Sequence, residues 1–267
     1  MEWIEIVGYA LSLLIGISLG LIGGGGSILT VPILVYVLSI DPVLATAYSL
    51  FIVGGTALVG SFDFMRKQLL SYKTAVVFGI PSILAVYLTR AYIVPAIPEE
   101  IFVIGSLVVT KDLAIMVFFA IVMLLASYSM IKGRKSNGDG DESQVKFNYP
   151  MILLEGAVVG TVTGLVGAGG GFLIIPALVL LAKLPMKLAV GTSLLIIAAK
   201  SLLGFLGDVG QQEIDWVFLA IFTAIAIVGI FLGSYLSNFI DGKHLKKGFG
   251  WFVLIMAVYI MIKELAF

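Results

Sequence analysis

Long apolar runs broken by short polar segments make up most of the chain. Eight of them, roughly 4–22, 43–62, 74–94, 111–131, 149–166, 188–207, 216–240 and 248–265, are dominated by Leu, Ile, Val, Phe, Ala and Gly. A helix crossing a bilayer needs about 20 such residues, within a usual range of about 17–25. Each run therefore predicts a membrane-spanning helix. Two further runs, roughly 27–40 and 171–182, follow directly on glycine clusters. At about 1.5 Å of rise per residue they fall short of the far side, and they predict half-helices. A last apolar piece, Ile101–Thr110, is short enough for a loop or the membrane interface.

The glycine clusters are the unusual feature of this pattern. "GLIGGGGSILTVP" (20–32) places Gly23, Gly24, Gly25 and Gly26 in a row, and Gly167, Gly169, Gly170 and Gly171 form a second group. Glycine costs a helix interior about 1 kcal/mol relative to alanine, so each cluster predicts a break, with a short helix restarting at Ser27 and near Phe172. Irregular backbone survives at membrane depth only where protein or a wet cavity surrounds it. A restarting helix also offers unpaired N–H groups and a partial positive charge, the elements of an anion site. Pro32 and Pro176 fit a first turn, where a missing N–H is harmless. The structural alternative is that the small residues only let helices pack closely, and that role alone is assigned to Gly229 and Gly233.

The two clusters are copies of one another. "GLIGGGGSILTVPILV" (20–35) falls on "GLVGAGGGFLIIPALV" (164–179) at a spacing of 144, with nine of sixteen positions identical. The same spacing lays "ATAYSLFIV" (45–53) over "AVGTSLLII" (189–197) and Gly60 over Gly204. Further on, four extra residues in the second copy would bring "SILAVYL" (82–88) onto "IFLGSYL" (230–236). The loop at 63–73 is basic, with Arg66, Lys67 and Lys73, whereas its counterpart at 207–216 carries Asp208, Glu213 and Asp215 and no base. Opposite bias in matching loops predicts oppositely inserted repeats, and paired short, Gly-interrupted segments point to a transport site. The expected architecture is an all-α polytopic membrane protein: residues 1–132 as the first repeat, 133–148 as a linker and 149–267 as the second, inverted repeat, each half with a Gly-broken helical hairpin followed by transmembrane helices.

Composition narrows the class. Of 267 residues 60% are hydrophobic and 12% charged, against about 45–50% and 25% in soluble domains, so membrane lipid is the expected solvent. The net charge of zero argues against a nucleic-acid partner. The absence of cysteine removes disulfides and thiolate metal sites. No cofactor is expected, and no metal-ligand cluster or nucleophile–histidine pair suggests an enzyme. Basic residues at 65–73, 132–146 and 242–247 place those loops in the cytoplasm and both termini outside.

Several polar residues stand inside apolar runs. Lys200 is the foremost, because a buried ammonium without a partner is costly and marks function by default. It would ligate an anion or gate it; snorkelling, or pairing with Glu155, Asp63 or Asp208, is the structural alternative. Its repeat mate is Thr56. Thr192, Ser193 and Ser49 would add hydroxyl donors unless they bond their own helix carbonyls. Arg90, near a helix end, is expected to snorkel. Trp3, Trp216 and Trp251 read as interfacial anchors.

The blocks "GLIGGGGSILTVPILV" and "EGAVVGTVTGLVGAGGGFLIIPALVLLAKLPMKLAVGTSLLIIAAKSLLGFLGD" (155–208) resemble the paired signature of the TauE/SafE sulfite exporter family. The resemblance covers nearly the whole chain. It implies a permease of the prokaryotic inner membrane that exports sulfite, sulfoacetate or a related organosulfonate. The bound anion would lie between the glycine loops, with Ser27 at one helix start. The family often carries a histidine shortly after the "SLLGF" segment, where Asp208 and, in the first copy, Asp63 stand here; a proton, the candidate coupling ion, would have no histidine carrier there. Import of sulfate or thiosulfate, or a passive anion channel, stays open at this point. So does the oligomeric state.

Overall fold

The computed structural model describes residues 3–104, 107–132, 149–180, 184–236, 239 and 242–266. The expected linker at 133–148 lies outside the described residues. Among the described residues nine helices carry the architecture: α1 (Trp3–Ile22), α2 (Pro42–Arg66), α3 (Tyr72–Leu88), α4 (Lys111–Lys132), α5 (Tyr149–Val166), α6 (Gly171–Leu180), α7 (Met186–Phe205), α8 (Trp216–Leu236) and α9 (Gly242–Ala266). Five helical spans among the described residues are long and apolar enough to cross a bilayer: Pro42–Arg66, Tyr72–Ala96, Lys111–Tyr128, Leu188–Phe205 and Trp216–Leu236. Ile6–Ile22, Gly26–Val37 and Pro150–Val166 are shorter apolar helices. Large apolar side chains such as Leu125, Val217, Tyr235 and Ile255 point outward. Water would penalise so much exposed hydrocarbon, and lipid does not. The chain is an all-α, multi-pass membrane protein.

Helix starts follow local chemistry. Asp41 caps α2 by accepting from the Val43 and Leu44 amides, and Pro42 occupies its first position. Asp215 accepts from the Val217 and Phe218 amides at the start of α8.

Both glycine clusters do break the helix, but the returning segments differ from expectation and from each other. After α1 the chain winds as a tight 3₁₀ helix (Gly24–Leu29), one α-turn (Thr30–Pro32) and a wide π-helical turn (Ile33–Val37). The restart is thus at Gly24 and not Ser27. Pro32 sits at the α-to-π junction rather than in a first turn; its missing N–H falls where the helix widens. The second return is one regular helix, α6, which starts at Gly171 and holds Pro176 in its second turn. Within the short apolar piece, β1 (Glu100–Ile104) pairs antiparallel with β2 (Leu107–Thr110) in place of an irregular loop. Its Ile, Phe, Val and Thr residues suit a pleated strand.

Every principal helix pair joins one half of the sequence to the other. α1 packs along α8, and α3 along α5; α2 packs on α7, α4 on α9, α3 on α7 and α8 on α2. Exchanging the halves maps this set of pairs onto itself. The match extends to single residues. A Cβ on Gly16 would strike the Ala226 carbonyl, and one on Gly160 the Ser82 carbonyl. Gly20 faces Ile230 and Gly233 as Gly164 faces Val86 and Thr89, while the Ser12 hydroxyl bonds the Phe222 carbonyl where Gly156 abuts the Phe78 carbonyl. These pairs all correspond at the spacing of 144. The four-residue insertion expected in this region is therefore absent; the sequence similarity that suggested it is a chance of apolar composition.

Gly229 lies against the Leu13 carbonyl and Gly233 against Ile17, as a packing role requires. Such small-residue contacts supply much of the affinity between helices that share lipid as solvent. Gly16→Val drives a side chain into backbone that cannot rotate away, and overpacking of this kind costs about 1–3 kcal/mol. The variant is expected to melt several degrees lower in detergent; an unchanged melting temperature would show the α1–α8 seam to be loose.

Candidate functional site

The two glycine turns meet. A Cβ on Gly24 would overlap the main chain of Gly171, and one on Gly171 the main chain of Gly24. Only glycine permits this approach of backbone to backbone. The turns also need glycine for their dihedrals: φ is 77° at Gly23, 69° at Gly167, 64° at Gly169 and 69° at Gly170. That left-handed region is open to glycine without strain.

Helices α2 and α7 line the contact. Thr46 abuts Gly167 and Val53 abuts Gly169, while their counterparts Val190 and Ile197 abut Gly23 and Gly24. The Gly167 amide bonds the Thr163 carbonyl at 2.8 Å, closing α5. The next amides, of Ala168, Gly169, Gly170 and Gly171, donate to no carbonyl among the described residues. They form the free N-terminal end of α6, where anions are favoured.

Lys200 reaches this end. It is fully buried on α7, and its ammonium donates to Thr163 Oγ1 at 2.7 Å. A Cβ on Gly170 would lie 2.6 Å from Lys200 Nζ, so the ammonium stands directly over the second turn. None of the three carboxylates considered from sequence pairs with it: Asp63 pairs with Lys67, Asp208 with Arg90, and Glu155 joins no ion pair among the described residues. Lys200 does not snorkel. Thr163, four residues before Gly167 and seven before Gly170, is a neighbour that sequence reading missed.

The other candidates divide. Ser27 and Ser49 are fully buried; Ser27 Oγ bonds the Gly24 carbonyl at 2.8 Å, while Ser49 Oγ has no hydrogen-bond partner among the described residues. Ser49 lies on α2 between Thr46 and Val53, three residues from one and four from the other, on the face that packs against the second turn. Gly26 abuts Ser18 and Leu19 on α1. Gly25 continues the tight helix between Gly24 and Gly26. Thr192 and Ser193, one turn or more below Ile197, are engaged elsewhere: Thr192 Oγ1 accepts from the Ser71 amide at 2.9 Å, and Ser193 Oγ donates to the Val190 carbonyl at 2.8 Å. The structure thus brings together both glycine turns, Ser27, Ser49 and Lys200, with Thr192 and Ser193 bonded to other groups.

Arg90 corrects the sequence reading outright. It is completely buried, not snorkelling, because α3 runs on through a π-helical turn (Thr89–Ile93) that turns its side chain inward. Arg90 Nη2 lies 2.6 Å from Asp208 Oδ1, and Nε donates to both carboxylate oxygens at 2.8 Å. Nη1 donates to Thr46 Oγ1 at 2.8 Å and to the Gly164 carbonyl at 3.4 Å. The Asp208 carboxylate is buried with it. This network holds α2, α3, α5 and the end of α7 together beside the second turn, through Thr46. An arginine within the 74–94 run and an acid ending the 188–207 run were the available signals, and only their pairing was hidden.

A family model described as Sulfite exporter TauE/SafE matches residues 9–260. A probable membrane transporter protein of Xylella fastidiosa (strain 9a5c) is 30% identical over 257 residues, covering 95% of this chain and 93% of the relative. The probable membrane transporter protein YunE of Bacillus subtilis (strain 168) is 26% identical, covering 94% of this chain and 93% of that protein. No solved structure matches the chain.

Proposed function

Because the chain belongs to the sulfite exporter TauE/SafE family, we propose that it exports sulfite or a related sulfur-containing anion, such as an organosulfonate, by alternating access. The observation that carries this reading is the junction of the two glycine turns, where the buried Lys200 ammonium stands beside Gly170 and the amides of Ala168–Gly171 donate to no backbone carbonyl among the described residues. A dehydrated oxyanion needs several donors to replace its water. Backbone N–H groups at a helix start, a hydroxyl and an ammonium supply them at low strain. Gly23, Gly24, Gly25 and Gly26 would wall the site from the first half, with Ser27 and Ser49 beside them and Gly167, Gly169, Gly170 and Gly171 opposite. Thr192 and Ser193 would join only if a movement released their present bonds.

The two-fold correspondence of helix pairs and the opposite charge of the matching loops support an inverted repeat, with both termini external. The buried state of Lys200, Ser49 and Ser27 supports a closed conformation that opens alternately to each side.

Uptake of labelled sulfite, sulfoacetate and thiosulfate into proteoliposomes, with and without a pH gradient, tests the reading. Saturable flux of a sulfur oxyanion is expected, and proton coupling would appear as acceleration by the gradient. Steady single-channel currents would replace the permease with a channel. Lys200→Ala should lower the flux at least tenfold while the protein still inserts and elutes as wild type. Full flux in that variant would remove Lys200 from the site.

A further inference from the structure

Charges around the second turn can be counted. Two cations are buried there, Arg90 and Lys200. Arg90 is balanced by Asp208, bonded through Nε to both carboxylate oxygens and through Nη2 at 2.6 Å. Lys200 has one hydroxyl partner, Thr163, and no carboxylate among the described residues. With Lys200 protonated, the enclosed region holds one unit of positive charge that no carboxylate among the described residues balances. On the face of α2 that packs against the second turn stands a hydroxyl with unused capacity, Ser49, fully buried and without a hydrogen-bond partner among the described residues.

We infer that this site selects singly charged sulfur oxyanions, a sulfonate R–SO₃⁻ or hydrogen sulfite, over doubly charged ones such as sulfate and thiosulfate. A monoanion against Lys200 leaves the buried region neutral. A dianion would leave one unpaired negative charge in the same low-dielectric surroundings, where an uncompensated charge is strongly disfavoured. The asymmetry of the repeats sharpens the assignment. The mates of Lys200 and Arg90 are Thr56 and Ser234, so the first turn receives no matching cation. The Thr56 hydroxyl is already bonded to the Ile52 carbonyl at 2.7 Å. The anion accordingly sits at the start of α6, under Lys200 and on the side of the turn that α2 covers with Ser49, and the Gly24 side serves as an uncharged wall.

The inference rests on the permease reading, and the experiment separates the two. Labelled sulfite uptake into proteoliposomes is competed, at fixed pH and ionic strength, with methanesulfonate, a permanent monoanion, and with sulfate and thiosulfate. Methanesulfonate should inhibit at a concentration at least tenfold lower than either dianion. Lys200→Met is close in volume and carries no charge; in this variant the residual uptake should lose the preference. Ser49→Ala removes a donor and no charge. It should weaken inhibition by all three ions by a similar factor and keep their ratio. Equal or stronger inhibition by sulfate or thiosulfate overturns the charge match while leaving the permease standing. A preference retained in Lys200→Met also overturns it. Absence of any sulfite uptake by the wild-type protein overturns the permease reading itself.

Discussion

Gly170→Val is expected to abolish anion uptake. The φ of 69° at this position penalises any side chain by about 1–2 kcal/mol. The added carbons must also displace the Thr163 methyl and the Lys200 ammonium, which would lie 2.6 Å from the new Cβ. Both side chains must therefore shift, and Lys200 is pushed away from the turn. Transport should fall to background in vesicles that contain as much correctly eluting protein as wild type. Gly248 supplies the comparison, since a Cβ there would meet nothing within 4 Å. Gly248→Val should transport normally. Wild-type flux in Gly170→Val would show that the turn merely separates helices.

Asp208→Ala is expected to produce the largest loss of stability. It leaves the Arg90 guanidinium buried with only Thr46 and two carbonyls for company. Removing one member of a buried ion pair costs about 3–5 kcal/mol, whereas replacing both with apolar groups of similar volume can be neutral. The melting temperature in detergent should drop steeply for Asp208→Ala and for Arg90→Ala. The double variant Arg90→Met with Asp208→Leu should recover most of the loss, and a double-mutant cycle measures the coupling. Additive losses would mean that the two residues act separately. Recovery of stability without recovery of uptake would identify Arg90 as a positioning residue for the second turn.

Much of this was legible in the sequence. The apolar runs, the two breaks and the spacing of 144 survive in the structure because bilayer length and glycine geometry act locally. Lys200 stood out for the same reason: one ammonium inside an uncharged stretch demands an explanation wherever the helix goes. What escaped was set by contacts distant in the chain. Arg90 and Asp208 lie 118 residues apart, and neither segment alone shows that a π-helical turn rotates the arginine inward. Thr163 looks like any hydroxyl in an apolar helix until Lys200 is placed over it. The unequal winding of the two returning segments cannot come from proline, since Pro32 and Pro176 hold matching positions, and the matching motifs gave no hint of it. Ser193 takes the alternative that its sequence setting offered. Its side chain was free to bond one turn back, and it did.

The cross-pairing of α1 with α8 and of α5 with α3 has a consequence for biogenesis. Neither half owns a complete interior, since the bare glycine faces of α1 and α5 each find their cover in the other half. The amino-terminal helices must therefore remain in lipid, separately inserted and loosely associated, until the ribosome has delivered the rest. Assembly is then a late, single event, and co-expressed half-chains should find each other where either one alone is degraded.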